Sequence, residues 1–259
     1  MNSSKICYAC DSLATSREHV PPKCLFPEAK DVGSDFRKGL ITVPSCDEHN
    51  SEKCSDDEFL MVSLAGLIGN NSIGYLHRFT KVNRAIRRSS FKLLRRAMKD
   101  QQWHAIEIRP NKFLDVVYGT PDHDRLNRCF DRISRGLFIE TFRNRFSGKT
   151  KTMLAFLPSK DPNSKEFRRF ILDKVKIELA GKMRLGENPD VFSYQFSGPD
   201  EHGIYACHML FYGGLDVFVS MIPETSQVPF NFGMFLIEQG MRTKIKLGDE
   251  EYDFNLEDS

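Results

Sequence analysis

The sequence predicts an α+β protein in two parts: a small metal-held strand–strand–helix unit at the N-terminus, then a larger mixed domain containing an antiparallel meander. Three observations predict it. Within the first fifth of the 259 residues, two ligand pairs, Cys7-Tyr-Ala-Cys10 and Cys46-Asp-Glu-His49, bracket two short β-rich runs. Helical patterns follow them. Further on, His208–Tyr212 and Leu215–Ile222 are apolar, β-rich runs separated by Gly213-Gly214, the pattern of a tight hairpin whose two central residues take positive φ.

Taken in order, residues 17–20 and 39–44 read as strands, the second (Gly39-Leu-Ile-Thr-Val-Pro44) bounded by Gly and Pro. The polar stretch 27–38 between them reads as a loop, and a helix is expected after Cys46. Ser55-Asp-Asp-Glu58 ahead of Phe59-Leu-Met-Val62 is a capping-box pattern that predicts a second helix start, and Gly69-Asn-Asn-Ser-Ile-Gly74 predicts a break. Tyr75, Phe79, Val82, Ile86, Leu93 and Ala97 recur at helical spacing, so residues 75–99 read as one amphipathic helix, weakened at Ser89-Ser90. β runs follow at 106–108 and 113–118, a helix over 121–146 opened by Asp122-His123-Asp124, a strand at 153–157 and a helix over 165–182. Val191–Phe196 joins the Gly-Gly hairpin in a three-stranded meander. The expected domains are 1–68, a basic amphipathic linker helix 69–100, and a mixed α+β domain 101–259.

Composition bounds the function classes. The chain is long enough to bury a sizeable core. It has no run of 18 apolar residues and no apolar N-terminal segment after Met1-Asn-Ser-Ser-Lys5, which excludes a membrane span and predicts a cytoplasmic, reducing location. Cys24, Cys54, Cys129 and Cys207 then read as free thiols that behave as small hydrophobes. Net charge is only +2, but residues 78–99 carry nine Lys or Arg and no acid, whereas 246–259 carry six acids and one base. Clustered cations of that kind attract polyanions, so Arg88, Lys92 and Arg95 are candidate phosphate contacts; the plainer reading is the solvated face of a helix.

Cys7/Cys10 and Cys46/His49 are chelating pairs with the two-residue spacing that tetrahedral structural zinc favours. Cys54 is a rival to His49 as fourth ligand. His49 is preferred because it repeats the spacing of the first pair, while Cys54 falls near the expected next helix. Between the pairs lies Glu18-His19, which has no place in a closed zinc cage.

Glu18-His19-Val20-Pro21-Pro22-Lys23 and Cys46-Asp-Glu-His49-Asn50-Ser-Glu-Lys53 together resemble the zinc-bearing branch of the HNH (ββα-metal) endonuclease family, over about residues 5–60. Two departures accompany the match: His49 stands where Cys is commoner, and the family's middle Asn is not evident near Lys38 or Gly39. The resemblance implies a treble-clef-like zinc domain and metal-dependent hydrolysis of nucleic-acid phosphodiesters, DNA being favoured over RNA by resemblance alone. It makes His19 the general base, a role that suits imidazole's near-neutral pKa. Glu18 and Asn50 would hold a catalytic Mg²⁺ or Mn²⁺, which stabilises charge developing on the leaving oxygen, and Lys53 would touch phosphate. The alternative is a non-catalytic zinc knuckle that binds nucleic acid or protein. The larger domain would add substrate contacts, homo-oligomerisation or regulation. Ser147-Gly148-Lys149-Thr150 is not a phosphate loop, since Arg143 stands where its first Gly must be, and His77, His104, His202 and His208 are assigned no site.

Overall fold

The computed structural model describes residues 6–157, 161–227 and 231–255, without the side chains of 51–54, 108 and 113–115. The fold is mixed α+β with antiparallel sheets. It divides into two compact units. The first comprises residues up to Phe146 with 186–193 and 211–215; the second comprises 147–185, 194–210 and 216 onward.

In the first unit, β1 (Ser16–His19) pairs antiparallel with β2 (Thr42–Ser45), with Ser16 opposite Ser45 and His19 opposite Thr42. Between them come a 3₁₀ turn at Lys23–Leu25 and the short helix α1 (Ala29–Val32), in the stretch expected to be loop. A single helix, α2 (Asp47–Ala65), follows Cys46, so no second helix starts at Ser55. Within the apparent capping box, Ser55 and Asp56 bond to arginines farther along the chain. Asp56 accepts from Arg125 Nε at 2.7 Å and pairs with Arg132, while the carbonyl and hydroxyl of Ser55 accept from the Arg125 guanidinium. Beyond that point Phe59, Leu60, Met61, Val62, Leu64 and Ala65 are all buried.

The single amphipathic helix expected over 75–99 is three: α3 (Ser72–His77), a π-type turn at Arg78–Val82 leading into α4 (Asn83–Arg88), and α5 (Lys92–Ala97). Ser90 and Phe91 sit at φ 50° and 62° and break the run. At the break the Ser89 hydroxyl donates to Ile86 O and accepts from Leu93 N, competing with the regular helix bonds. The π turn inserts residue length into the helix and rotates the phase of what precedes it. Val82, Ile86, Leu94 and Ala97 are therefore buried, while Tyr75 and Phe79, assigned to the same apolar face, are exposed.

A hairpin of two long strands, β3 (Met98–Arg109) and β4 (Lys112–Pro121), replaces the short β runs expected there. α6 (His123–Phe142) is capped by Asp122 accepting from Arg125 N and stops at Arg143, which takes φ 55°, short of Phe146. Leu126, Phe130, Ile133 and Leu137 form its buried stripe.

The second unit contains β5 (Gly148–Leu154), α7 (Pro162–Leu179) and most of a five-stranded sheet with β6 (Leu185–Asn188), β7 (Phe192–Phe196), β8 (Tyr205–Phe211) and β9 (Leu215–Pro223). Strand order is β5-β9-β8-β7-β6, a meander with β5 antiparallel to β9. The tight turn centres one residue earlier than expected: Tyr212 and Gly213 take φ 47° and 69°, and Gly214 N donates to Phe211 O. Gly214 serves close approach instead, because a Cβ there would lie 2.0 Å from Gly69 O. α8 (Phe232–Glu238) precedes a hairpin of β10 (Thr243–Leu247) and β11 (Glu250–Phe254), in which Lys244 meets Glu251 and Arg242 meets Asp253. Among the described residues no helix is long and apolar enough to cross a membrane.

Candidate metal centre

Two local structures build the centre. The first is a knuckle at Cys7–Ser12, closed by Cys7 N donating to Ser12 O and an isolated bridge between Ile6 and Leu13. Tyr8 N donates to Pro44 O, which docks this knuckle on β2. The second is the first turn of α2: Cys46 is its N-cap residue and His49 lies three positions on, so both side chains face one side of the helix. Thr15 ties the two by donating to Asp47 Oδ1 at 2.6 Å.

The ligand atoms of Cys7, Cys10, Cys46 and His49 all lie within 4.8 Å of one another. Cys10 Sγ is 3.7 Å from Cys46 Sγ, and His49 Nδ1 is 3.2 Å from Cys46 Sγ and 3.9 Å from Cys7 Sγ. A tetrahedron with metal–sulfur bonds of about 2.3 Å has sulfur–sulfur edges of about 3.8 Å, so the separations fit a zinc ion. Part of the donor chemistry fits as well: Ser12, through its hydroxyl and its backbone, holds the Cys10 thiol below the usual thiol pKa. At Cys46 the His49 backbone N–H favours the thiolate, but burial and the neighbouring Cys10 and Cys7 thiols outweigh it and raise the pKa. Cys7 and Cys46 are buried, and Tyr8 meets the His49 ring edge-on at 6.4 Å. These four residues can hold a metal such as zinc; the side chains of Cys54 and Lys53 lie outside the described residues.

Glu18 and His19 lie at the end of β1. Glu18 is only 4% exposed; its Oε2 accepts from Ser45 Oγ at 3.2 Å. Beside it is Tyr8, whose phenol pKa is raised by burial first and by the Glu18 carboxylate second. His19 is half-buried, opposite Thr42. Its backbone is positioned by the next residue: Val20 N donates to Ile41 O, and the Val20 side chain packs so closely on α6 that a Cβ at Gly136 would come within 2.7 Å of it. Asn50 is exposed, and its Nδ2 donates to Ser16 Oγ at 3.1 Å. Ser16 and Glu18 are two residues apart on a strand, so Asn50 reaches the face of β1 that carries Glu18, one pleat away. Tyr8, Ser45 and Gly136 are neighbours of the motif that no sequence signal marks, because pairing across the fold brings them in.

The loop where the middle Asn was sought is held by residues far along the chain. Asn188 Nδ2 donates to Lys38 O at 2.9 Å, and Glu187 packs on Gly39, which takes φ 68°. In the basic segment Lys81 pairs with Glu28 and Arg84 with Asp31. Arg87, Arg88, Lys92, Arg95, Arg96 and Lys99 are exposed, with no acidic partner among the described residues. The second unit holds its own polar chain: Arg184 donates to His208 Nδ1, whose Nε2 donates to Asp216 at 2.7 Å while the ring stacks on Phe218. Both ring nitrogens are thereby used.

Comparison with known proteins found no matching family model, no similar curated protein and no similar solved structure.

Proposed function

We propose that the chain is a metal-dependent endonuclease of the HNH type that hydrolyses DNA, built on a treble-clef-like ββα unit made of β1, β2 and α2. The observation that carries the reading is the position of Glu18-His19: in sequence the pair falls between the two ligand pairs, and it ends strand β1, which is paired to β2 and followed by Val20 packed on α6. In this reading the zinc is structural and closes the knuckle onto α2. His19 takes the proton from the attacking water. Glu18 and Asn50 would hold a Mg²⁺ or Mn²⁺ ion, which supplies charge stabilisation at the scissile phosphate. The exposed, acid-free cations of α4 and α5 attract the DNA backbone, with Arg88, Lys92 and Arg95 in contact.

One observation favours a second reading, a zinc knuckle that binds nucleic acid without cutting it. Glu18 is enclosed by Ser45 and Tyr8, and an interior carboxylate is poorly placed to share an ion with solvent and phosphate. Incubating the protein with plasmid DNA, with and without Mg²⁺ or Mn²⁺, separates the two. The nuclease reading expects metal-dependent nicking that His19→Ala reduces by at least about 10²-fold, as removal of a general base does, with zinc content and DNA affinity retained. Binding without cleavage under any common divalent ion selects the knuckle.

A further inference from the structure

The β3–β4 hairpin is the longest of three two-stranded sheets among the described residues. Its strands pair from Met98–Pro121 out to Arg109–Lys112, roughly 37 Å at the usual rise per residue, yet among the described residues no third strand joins them. Among the described residues its substantial neighbour is α5, from which it grows directly; Gln101 anchors this root by donating to Leu94 O and Met98 O. Six consecutive residues, 102–107, are exposed, so neither face of β3 is covered. Trp103 (57% exposed) stands opposite Val117, while Tyr118 (55%) stands opposite Gln102, which puts an aromatic on each face. A lone two-stranded ribbon is marginal in water, and open strand edges invite pairing. A ribbon this long, with apolar groups on both faces, is a surface made to be covered.

Its charge selects the occupant. Lys99, Arg109 and Lys112 are balanced by Asp100, Glu107 and Asp115, so the arm itself has no attraction for a polyanion, in contrast to the acid-free helices beside it. An arm without net charge does not repel its own copy. Each face offers roughly 370 Å² if the ribbon is about 10 Å wide, so the roughly 800 Å² that each partner buries in a standard-size interface needs both faces covered, one by the partner's arm and the other by the partner's body. We infer that the β3–β4 arm is a homodimerisation arm, the arms of two copies covering each other about a twofold axis.

Trp103 is the chain's single tryptophan, so its emission reports on the arm alone. Sedimentation of the full chain over a micromolar concentration series should show a monomer–dimer equilibrium, with Trp103 emission moving to shorter wavelength and becoming shielded from acrylamide as the dimer forms. Ile106→Lys combined with Tyr118→Lys keeps the probe and should weaken the dimer by at least about 30-fold, the loss of one buried anchor, with zinc content unchanged. Because Met98 pairs with Pro121, residues 99–120 can also be replaced by an Asn-Gly turn, which should leave a zinc-loaded monomer. A wild-type chain that stays monomeric with Trp103 accessible overturns the inference. So does a dimer that survives removal of the arm, or shielding of Trp103 in a monomer that appears only on adding duplex DNA. None of these readouts depends on cleavage, so nuclease activity and arm pairing fail separately.

Discussion

His77 is fully buried at the end of α3, its Nε2 donating to Cys24 O at 3.0 Å, with the Tyr212 ring 6.3 Å away. Burial lowers its pKa to about 4, so the native state keeps the ring neutral where the unfolded chain takes up a proton. Its effect on stability is complete above the unfolded value near 6.5 and is lost as pH falls from there to about 4, up to about 3 kcal/mol for a shift of this size. Urea unfolding at pH 7 and pH 5 should show about 2 kcal/mol of that loss in the wild type, and His77→Gln, which keeps a donor without the titration, should remove that part. The four candidate metal ligands act in the same direction, because protons compete with metal for thiolate and imidazole. Cys46→Ser and His49→Ala should each release about one zinc per chain and unfold the knuckle, whereas Cys54→Ala should retain it, as metal analysis with circular dichroism would show. These four ligands were legible in the sequence because two-residue spacing is local chemistry. The burial of Glu18 was not, because it depends on Ser45 and Tyr8 arriving from other elements.

Elements were legible where the pattern is governed by their own residues and misread where a distant side chain intervenes. β1, β2 and α6 follow their local signals to within a few residues, and Asp122 caps α6 as its position suggests. Ser55–Glu58 is not a helix start because the helix that begins after Cys46 runs through it, with Ser55 and Asp56 bonded to Arg125 and Arg132, and the segment 75–99 is not one helix because Ser90 and Phe91 take positive φ beside the competing Ser89 hydroxyl. The C-terminal hairpin was invisible in an acid-rich tail, since its acids are neutralised across the strand pair by Arg242, Lys244 and Lys246. Two predictions belong to this scale. Gly136→Ala should gain helix propensity yet destabilise by about 1–3 kcal/mol, because the new Cβ meets the stiff Val20 side chain and pushes the end of β1; a thermal melt and the cleavage or binding assay check it. Replacing Arg88, Lys92 and Arg95 together should weaken DNA binding for every sequence alike and flatten its salt dependence, by about one unit of slope per lost phosphate contact. An unchanged slope would return α4 and α5 to plain solvated surface.

At the level of the whole molecule, the division into units does not follow the chain. The first unit is completed by residues 186–193 and 211–215, which lie after the chain has already built part of the second. Their role is structural and specific. Tyr212 is fully buried and donates at 2.7 Å to the carbonyl of Leu25, the last residue of the 3₁₀ turn that follows Glu18-His19. Its backbone carbonyl accepts from Asn71 N, and Gly74 of α3 lies so close that a Cβ there would be 3.0 Å from the Tyr212 side chain. Asn71 and Lys38 each take a further bond from this returning chain, through Asp190 O and Asn188 Nδ2. A fragment ending at Phe146 would therefore contain every zinc ligand and the whole Glu18-His19 motif, yet leave the Tyr212 site empty and the Leu25 carbonyl without its donor. It should bind zinc but melt well below the full chain and cut or bind DNA poorly. Tyr212→Ala in the full chain should reproduce most of that loss, about 3–5 kcal/mol for emptying a buried aromatic site, while Tyr212→Phe should lose only the hydrogen bond, about 1–3 kcal/mol. Denaturant unfolding of the two variants and the fragment, each with its zinc content measured, tests the ranking. A fragment as stable as the full chain would mean that the N-terminal unit folds without the returning segments.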